Sequence, residues 1–289
     1  LSGGTLDING QNLQSEAITV AGTITNTGGG QNNALQNVTL TGDATFTGTG
    51  RWDIRGGSLD LAGFTVAKTG TNKVAIVDST ISAGDVVVNE GIFSLTRSTW
   101  AAGSLTVNAG ATLELENNSS GTYGMDVALN DGRLWMHGGG RTLTGQVALG
   151  GANTIQIDGG DTLTLGGLVH GSGSFDKTNS GILTLTQANT YSGGTSVSGG
   201  TLRIESDASL GAVPGSFDAD NVTLSGGGIL KNNGPSIDLD ANRGILLAGD
   251  GGVEVRSGTT MTIPGEISGP GRLTKADGGT LLLPGANTY

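Results

Sequence analysis

One stretch of this chain occurs twice, and that repetition limits the available folds more than any other feature. Gly171–Tyr191 aligns with Gly269–Tyr289, 98 positions later. Lys177 falls on Lys275, Leu183 on Leu281, Leu185 on Leu283, and Ala188-Asn189-Thr190-Tyr191 on Ala286-Asn287-Thr288-Tyr289. Upstream, Asp161-Thr162-Leu163-Thr164-Leu165 sits on Thr259-Thr260-Met261-Thr262-Ile263. A unit that recurs in this way buries its apolar face against its neighbours, so the pattern points to a stacked array rather than to one closed core.

The units read as strands and tight turns. After Gly or Gly-Gly, short apolar–polar alternations follow: Gly4-Thr5-Leu6-Asp7-Ile8, Gly57-Ser58-Leu59-Asp60-Leu61, Gly91-Ile92-Phe93-Ser94-Leu95, Gly103-Ser104-Leu105-Thr106-Val107, Gly110-Ala111-Thr112-Leu113-Glu114-Leu115, Gly132-Arg133-Leu134-Trp135-Met136, Gly181-Ile182-Leu183-Thr184-Leu185 and Gly200-Thr201-Leu202-Arg203-Ile204. Residues two apart on a strand share a face, so each motif sends two aliphatic side chains inward and a polar one outward. The 55 glycines among 289 residues far exceed the average of about 7%, yet they keep no three-residue period, which excludes collagen. A β-sandwich needs longer strands and aromatic anchors, whereas aromatics are only 4% here. The expected fold is therefore all-β: a parallel β-helix, coiled as one continuous domain over residues 1–289. At roughly 20–25 residues per turn it makes about a dozen turns and a rod of order 60 Å. Asn117–Tyr123 and Asp207–Asn221 lack alternation and read as loops leaving the coil.

A net charge of −11 and a pI near 4.4 argue against nucleic acid or an anionic membrane surface as a partner, because both would be repelled. The absence of cysteine suits a secreted chain and a cytosolic one equally. No apolar stretch is long enough to span a bilayer. Leu1 is not a start methionine and the sequence shows no signal-peptide pattern, so the chain is expected to be a piece of something larger.

The residues Leu273-x-Lys275-x-x-Gly278-Gly279-Thr280-Leu281-x-Leu283-x-Gly285-x-Asn287-Thr288-Tyr289 resemble the passenger-associated transport repeat of bacterial autotransporters. Phe175-x-Lys177 through Gly181-x-Leu183-x-Leu185, then Asn189-Thr190-Tyr191-x-Gly193-Gly194-Thr195-x-Val197-x-x-Gly200-Thr201-Leu202, is similar to it more completely. The repeats thus occupy residues 171–204 and 269–289, with Gln187 and Asp176 of the first replaced by Gly285 and Thr274 in the second. Leu1–Ile8 reads like the back half of the repeat, Val197–Ile204. The resemblance implies a right-handed parallel β-helix, a fragment of a longer rod. It also implies a passenger exported through the outer membrane of a Gram-negative bacterium and displayed or released there, with a C-terminal translocator outside this chain as its only link to a membrane.

Constellations for chemistry are sparse. There is no Gly-x-Ser-x-Gly elbow to expose a nucleophile, and no Gly-Asp-Ser-Gly segment of the kind that serine-protease passengers carry. His137 and His170 are the only histidines and there is no cysteine, so no zinc set is expected, and no cofactor or catalytic residue is assigned. Asp158-Gly159-Gly160-Asp161 only brushes against a calcium-binding roll motif. Asp238-Leu239-Asp240 places two carboxylates on one strand face about 7 Å apart, near the spacing glycosidases use, and Asp218-x-Asp220 repeats it. On an acidic surface such pairs also occur as plain solvated positions. Trp52, Trp100, Trp135 and Tyr123 either line a sugar-stacking surface or pack against the coil, where a large aromatic gains most. Together with Asp238 and Asp240 they are the candidate interaction surface. Three functions follow: an adhesive segment that contacts copies of itself on other cells, or host and surface glycans or proteins; a passive spacer; and a polysaccharide-binding or -cleaving β-helix. In the repeat, Tyr191 is expected to lay its ring over the coil's edge with its hydroxyl at the surface, and Asn189 to bond its own turn.

Overall fold

The computed structural model describes residues 1–100, 102–116 and 121–289, which form two compact units, Leu1–Gly139 and Gly140–Tyr289. Each is a parallel β-solenoid. In the first, one turn is built from the strands Lys73–Val77, Thr80–Ile81 and Asp85–Val88, and the next from Ile92–Thr96, Thr99–Trp100 and Ser104–Val107. Each strand pairs in parallel with its equivalent one turn on. Thr112–Glu116 and Arg133–His137 continue the first stack. In-register pairing puts like on like: Val74, Phe93, Leu113 and Leu134 form one interior column and Ile76, Leu95, Leu115 and Met136 another, all fully buried.

The second unit repeats the scheme. Gly140–Leu143, Thr162–Leu165, Ile182–Leu185, Thr201–Ile204, Gly228–Asn232, Gly251–Val255 and Leu273–Ala276 form one parallel stack. Its interior column runs Leu163, Leu183, Leu202, Leu230, Val253, and each is fully buried. Turns are tight where glycine allows it. Gly200 has φ +63°, and a Cβ there would lie 2.3 Å from the Gly181 carbonyl, so no other residue fits without moving the turn above.

Two expectations need correction. The alternation-poor stretch Asp207–Asn221 opens with a short 3-10 helix, Asp207–Leu210, and already re-enters the sheet at Asp218. It is the one helix among the described residues, formed because Ser206 and Ser209 close a capping box over its first turn. The other predicted loop, Asn117–Tyr123, falls partly outside the described residues; its last three residues form the strand Gly121–Tyr123.

Leu183→Asp tests the core. It would place an unpaired carboxylate between Leu163 and Leu202, and should cost about 4 kcal/mol or more in denaturant unfolding. A melt like the wild type's would mean the inward face had been assigned wrongly.

Candidate functional site

The repeat is a device for sealing the coil's corners. Lys177 is the last inward-facing residue of the strand Ser174–Thr178, fully buried between its register partners Ile155 and Val197, and its ammonium donates to the carbonyls of Thr178 (2.9 Å), Asn179 (2.7 Å) and Gly199 (3.1 Å), the last one turn on. Lys68 in the first unit does the same with Thr69, Gly70 and Glu90, at the same sequence offsets. The residue two after each lysine is left-handed, Gly70 at φ 73° and Asn179 at φ 60°, and its carbonyl is the closest acceptor of the three. Burial pushes both ammonium groups down from 10.5 to about 8. Lys275 repeats the geometry with Ala276 and Asp277, and Asp277 has φ 60°.

Asn189 and Tyr191 depart from expectation. Asn189 is buried and bridges turns instead of closing its own: its Oδ1 accepts from Val169 N at 2.9 Å and its Nδ2 donates to Ser209 O at 2.8 Å. Asn287 accepts from Ile267 N in the same way. Tyr191 is 1% exposed; its hydroxyl meets Thr195 Oγ1 at 2.7 Å and its ring sits edge-on to Phe175. Burial holds its phenol well above the usual range. The hydroxyl found a partner inside, so nothing forced it to the surface.

Outward, the first unit carries an ionic cluster. Asp53, fully buried, takes Arg51 and Arg55. Lys73 reaches across two turns to Glu114 (2.5 Å) and Glu116 (2.8 Å), while Ala75 and Ser94, which stand between Asp53 and Glu114 in one column, are fully buried. The approach of Lys73 to Glu114 is ionic, off the line of a directed hydrogen bond. His137 Nε2 lies 3.0 Å from Glu114 Oε1. Glu114, Glu116 and His137 bring one ligand atom each within 4.8 Å of the others, the only such group among the described residues. Lys73 is already seated between the two carboxylates and offsets one of their two charges, so the arrangement is an ion cluster with its own cation in place.

In the second unit a side excursion is pinned from below. Thr201 and Ile229 are register partners, so this turn is longer than its neighbours, and the surplus forms Glu205–Phe217. Arg243, fully buried, donates to Asp207 Oδ1 (2.8 Å), Asn221 Oδ1 (2.9 Å) and the carbonyls of Leu210 and Gly211. Asn242 Nδ2 holds Pro214 O at 2.9 Å.

The passenger-associated-transport-repeat family matches residues 37–61, 175–204 and 273–289. The chain is also 36% identical, over 316 aligned positions and its whole length, to the adhesin BmaC autotransporter of Brucella suis biovar 1 (strain 1330). It spans about 8% of that relative's length. No solved structure matches it. This chain is an autotransporter passenger segment. It belongs to a Gram-negative protein exported via the outer membrane, surface-exposed or secreted.

Within this passenger the candidate surface residues separate. Trp52 is fully buried, its Nε1 donating to Thr47 O and its ring edge-on to Phe46. Trp100 and Tyr123 are also buried. These three are core, and none offers a face to a ligand. Trp135 alone points outward, half-buried between the Arg133 guanidinium (5.4 Å) and the His137 ring (4.5 Å). Asp238 is exposed and Asp240 half-buried, with Leu239 between them facing inward. Asp240 is engaged by its own turn, its Oδ1 accepting from Asn242 N. His170 is half-buried on the strand Val169–Gly171.

Three features were missed in the sequence: the 37–61 copy, the Lys73–Glu114–Glu116–His137 cluster and the Arg243 anchor. The first contains neither Lys nor Tyr, so only its Gly56-Gly57-Ser58-Leu59 ending was legible. The other two join residues one to two turns apart, which no local spacing reveals.

Two outcomes follow. Lys177 has a folded pKa near 8 against an ordinary 10.5, so the unfolded chain holds the proton more tightly between those values. Stability relative to Lys177→Met should therefore rise as pH is raised from about 8 to 10.5 and level off on either side; a flat difference across that window rejects the buried ammonium. Arg243→Met should cost about 3–5 kcal/mol, since it strands the Asp207 carboxylate and two carbonyls. Denaturant titration measures it, and a cost under 1 kcal/mol would show that the anchor is idle.

Proposed function

We propose that this passenger segment is adhesive, making many weak lateral contacts with copies of itself on neighbouring cells and with host or surface glycans and proteins. The observation that carries this reading is the set of outward ladders. In the first unit one outward column runs Thr23, Thr45, Ala67, Val87, Thr106, Ala128. In the second, another runs Thr142, Thr164, Thr184, Arg203, Lys231, Glu254. Parallel register stacks equivalent positions about every 4.8 Å, so a partner of the same period meets hydroxyl with hydroxyl where threonines fall in successive turns, as at Thr23 and Thr45 or Thr142 and Thr164. Individually weak contacts then add through avidity when many copies are displayed. The Brucella relative is an adhesin, which agrees with this. No catalysis is expected of the segment, because its titratable clusters are spent on ion pairs and turns.

At −11 per chain copies repel, so added salt should strengthen association by screening. Sedimentation of the purified chain, and settling of cells displaying it, should both increase with salt. A chain that stays monomeric on non-settling cells at every salt concentration would favour a passive spacer. Polysaccharide turnover lost on Asp238→Asn would favour an enzyme.

A further inference from the structure

One outward column of the second unit has a gap. Gly140, Thr162, Ile182, Thr201, Ile229, Gly252 and Thr274 are successive register partners. The turns around Gly252 carry branched side chains at this position. A Cβ at Gly252 would lie 3.4 Å from Ile229 Cγ1 and from Thr274 O, ordinary contact distances, and its φ is not positive. Neither the backbone nor the packing demands glycine there, and glycine in a strand interior weakens it. What the glycine provides is a depression of about 250 Å³, lined by Ile229, Gly252, Val253, Arg272, Thr274 and Ala276 among others. That is below the roughly 300–1,000 Å³ of small-molecule sites and suits a single side chain.

The same unit presents such a side chain. The excursion pinned by Arg243 carries Val213 and Phe217 at its tip, 44% and 47% exposed, and no charged residue lies between Leu210 and Phe217. Asn242 fixes both ends of this tip, donating to Pro214 O from its side chain and accepting from Asp218 N at its carbonyl. An exposed aromatic on a segment tied down at both ends loses less entropy on docking than one on a free loop. One opposite-charge pair is also available to the contact. Exposed Asp220 follows the tip, while Arg272, 79% exposed, rims the depression and meets Asp250 only at 3.9 Å. The other acid at that rim, Glu254, pairs with Lys231 at 2.8 Å, an ammonium it shares with Asp277 at the same distance.

We propose that Phe217 of one copy seats in the Gly252 depression of a second copy of this chain. The inference rests on the self-adhesive reading above and gives it a contact point. Tip and depression are different surfaces, so the contact is heterologous and joins copies in open succession rather than as a closed pair.

Sedimentation velocity of the full chain at raised salt tests it. Phe217→Ser and Gly252→Val should each weaken association about tenfold or more, as for an interface anchor, with melting temperatures unchanged. Gly252→Ala is the milder filler if valine disturbs the strand, and should weaken association in the same direction. Mixed in equal amounts, the Phe217→Ser and Gly252→Val chains should pair again and stop at dimers, since one retains the depression and the other the ring. If both single variants associate like wild type, the seat is wrong while the adhesive reading stands. If only Phe217→Ser weakens association, the ring docks elsewhere and the depression is overturned. A wild type that never associates removes both.

Discussion

Everything in this passenger depends on the parallel backbone ladder that joins each turn of the coil to the next. The ladder satisfies N–H and C=O groups along the strands, but it is interrupted at corners such as those after Lys68 and Lys177, where carbonyls turn toward a buried side chain. A buried carbonyl without a partner is costly, so the corners decide whether the coil can continue. Here they are closed by polar side chains folded into the interior. Asn26, fully buried, accepts from Gly10 N and Gly28 N and donates to Gly29 O and Arg51 O, tying three successive turns. Asn153 and Asn189 do comparable work in the second unit. Lys68 and Lys177 close corners with an ammonium, whose three donors match three converging carbonyls.

This gives the transport repeat a physical meaning. In the 175–204 copy its Lys177, Asn189 and Tyr191 are buried. They are the parts that allow one turn to hand its register to the next, with Leu columns supplying the apolar burial between them. A matched segment without Lys or Tyr, such as 37–61, still forms strands because the aliphatic alternation and the glycine turns remain, and Asn26 and Asn72 seal nearby corners instead.

With the interior occupied by structure, the outer faces are free to vary. In the first unit they hold ion pairs that cross turns, such as Lys73 to Glu114 and Glu116 and Arg97 to Asp78. The Arg97 guanidinium holds the Asp78 carboxyl below its usual range. In the second unit they hold hydroxyl ladders, a glycine-made depression and one rigid apolar tip. An acidic surface of this kind makes copies repel at low salt.

The sequence by itself determined the architecture, because strand alternation has a period of two and stacked turns require like residues at fixed spacing. Leu163, Leu183 and Leu202 could be assigned inward from that period alone. The repeat could be recognised because Lys177, Asn189 and Tyr191 recur at Lys275, Asn287 and Tyr289. Direction and partner were not legible for polar and aromatic side chains. Tyr191 was expected outside and is buried; Trp52, Trp100 and Tyr123 were candidates for a surface and are core. Their placement depends on partners that only the coiled chain brings within reach: Tyr191 meets Thr195 and Phe175, and Trp52 meets Thr47 and Phe46. The Lys73 cluster, the Arg243 anchor and the Gly252 gap are decided in the same way. Each is a relation between turns, and the register that creates it exists only once the chain has coiled.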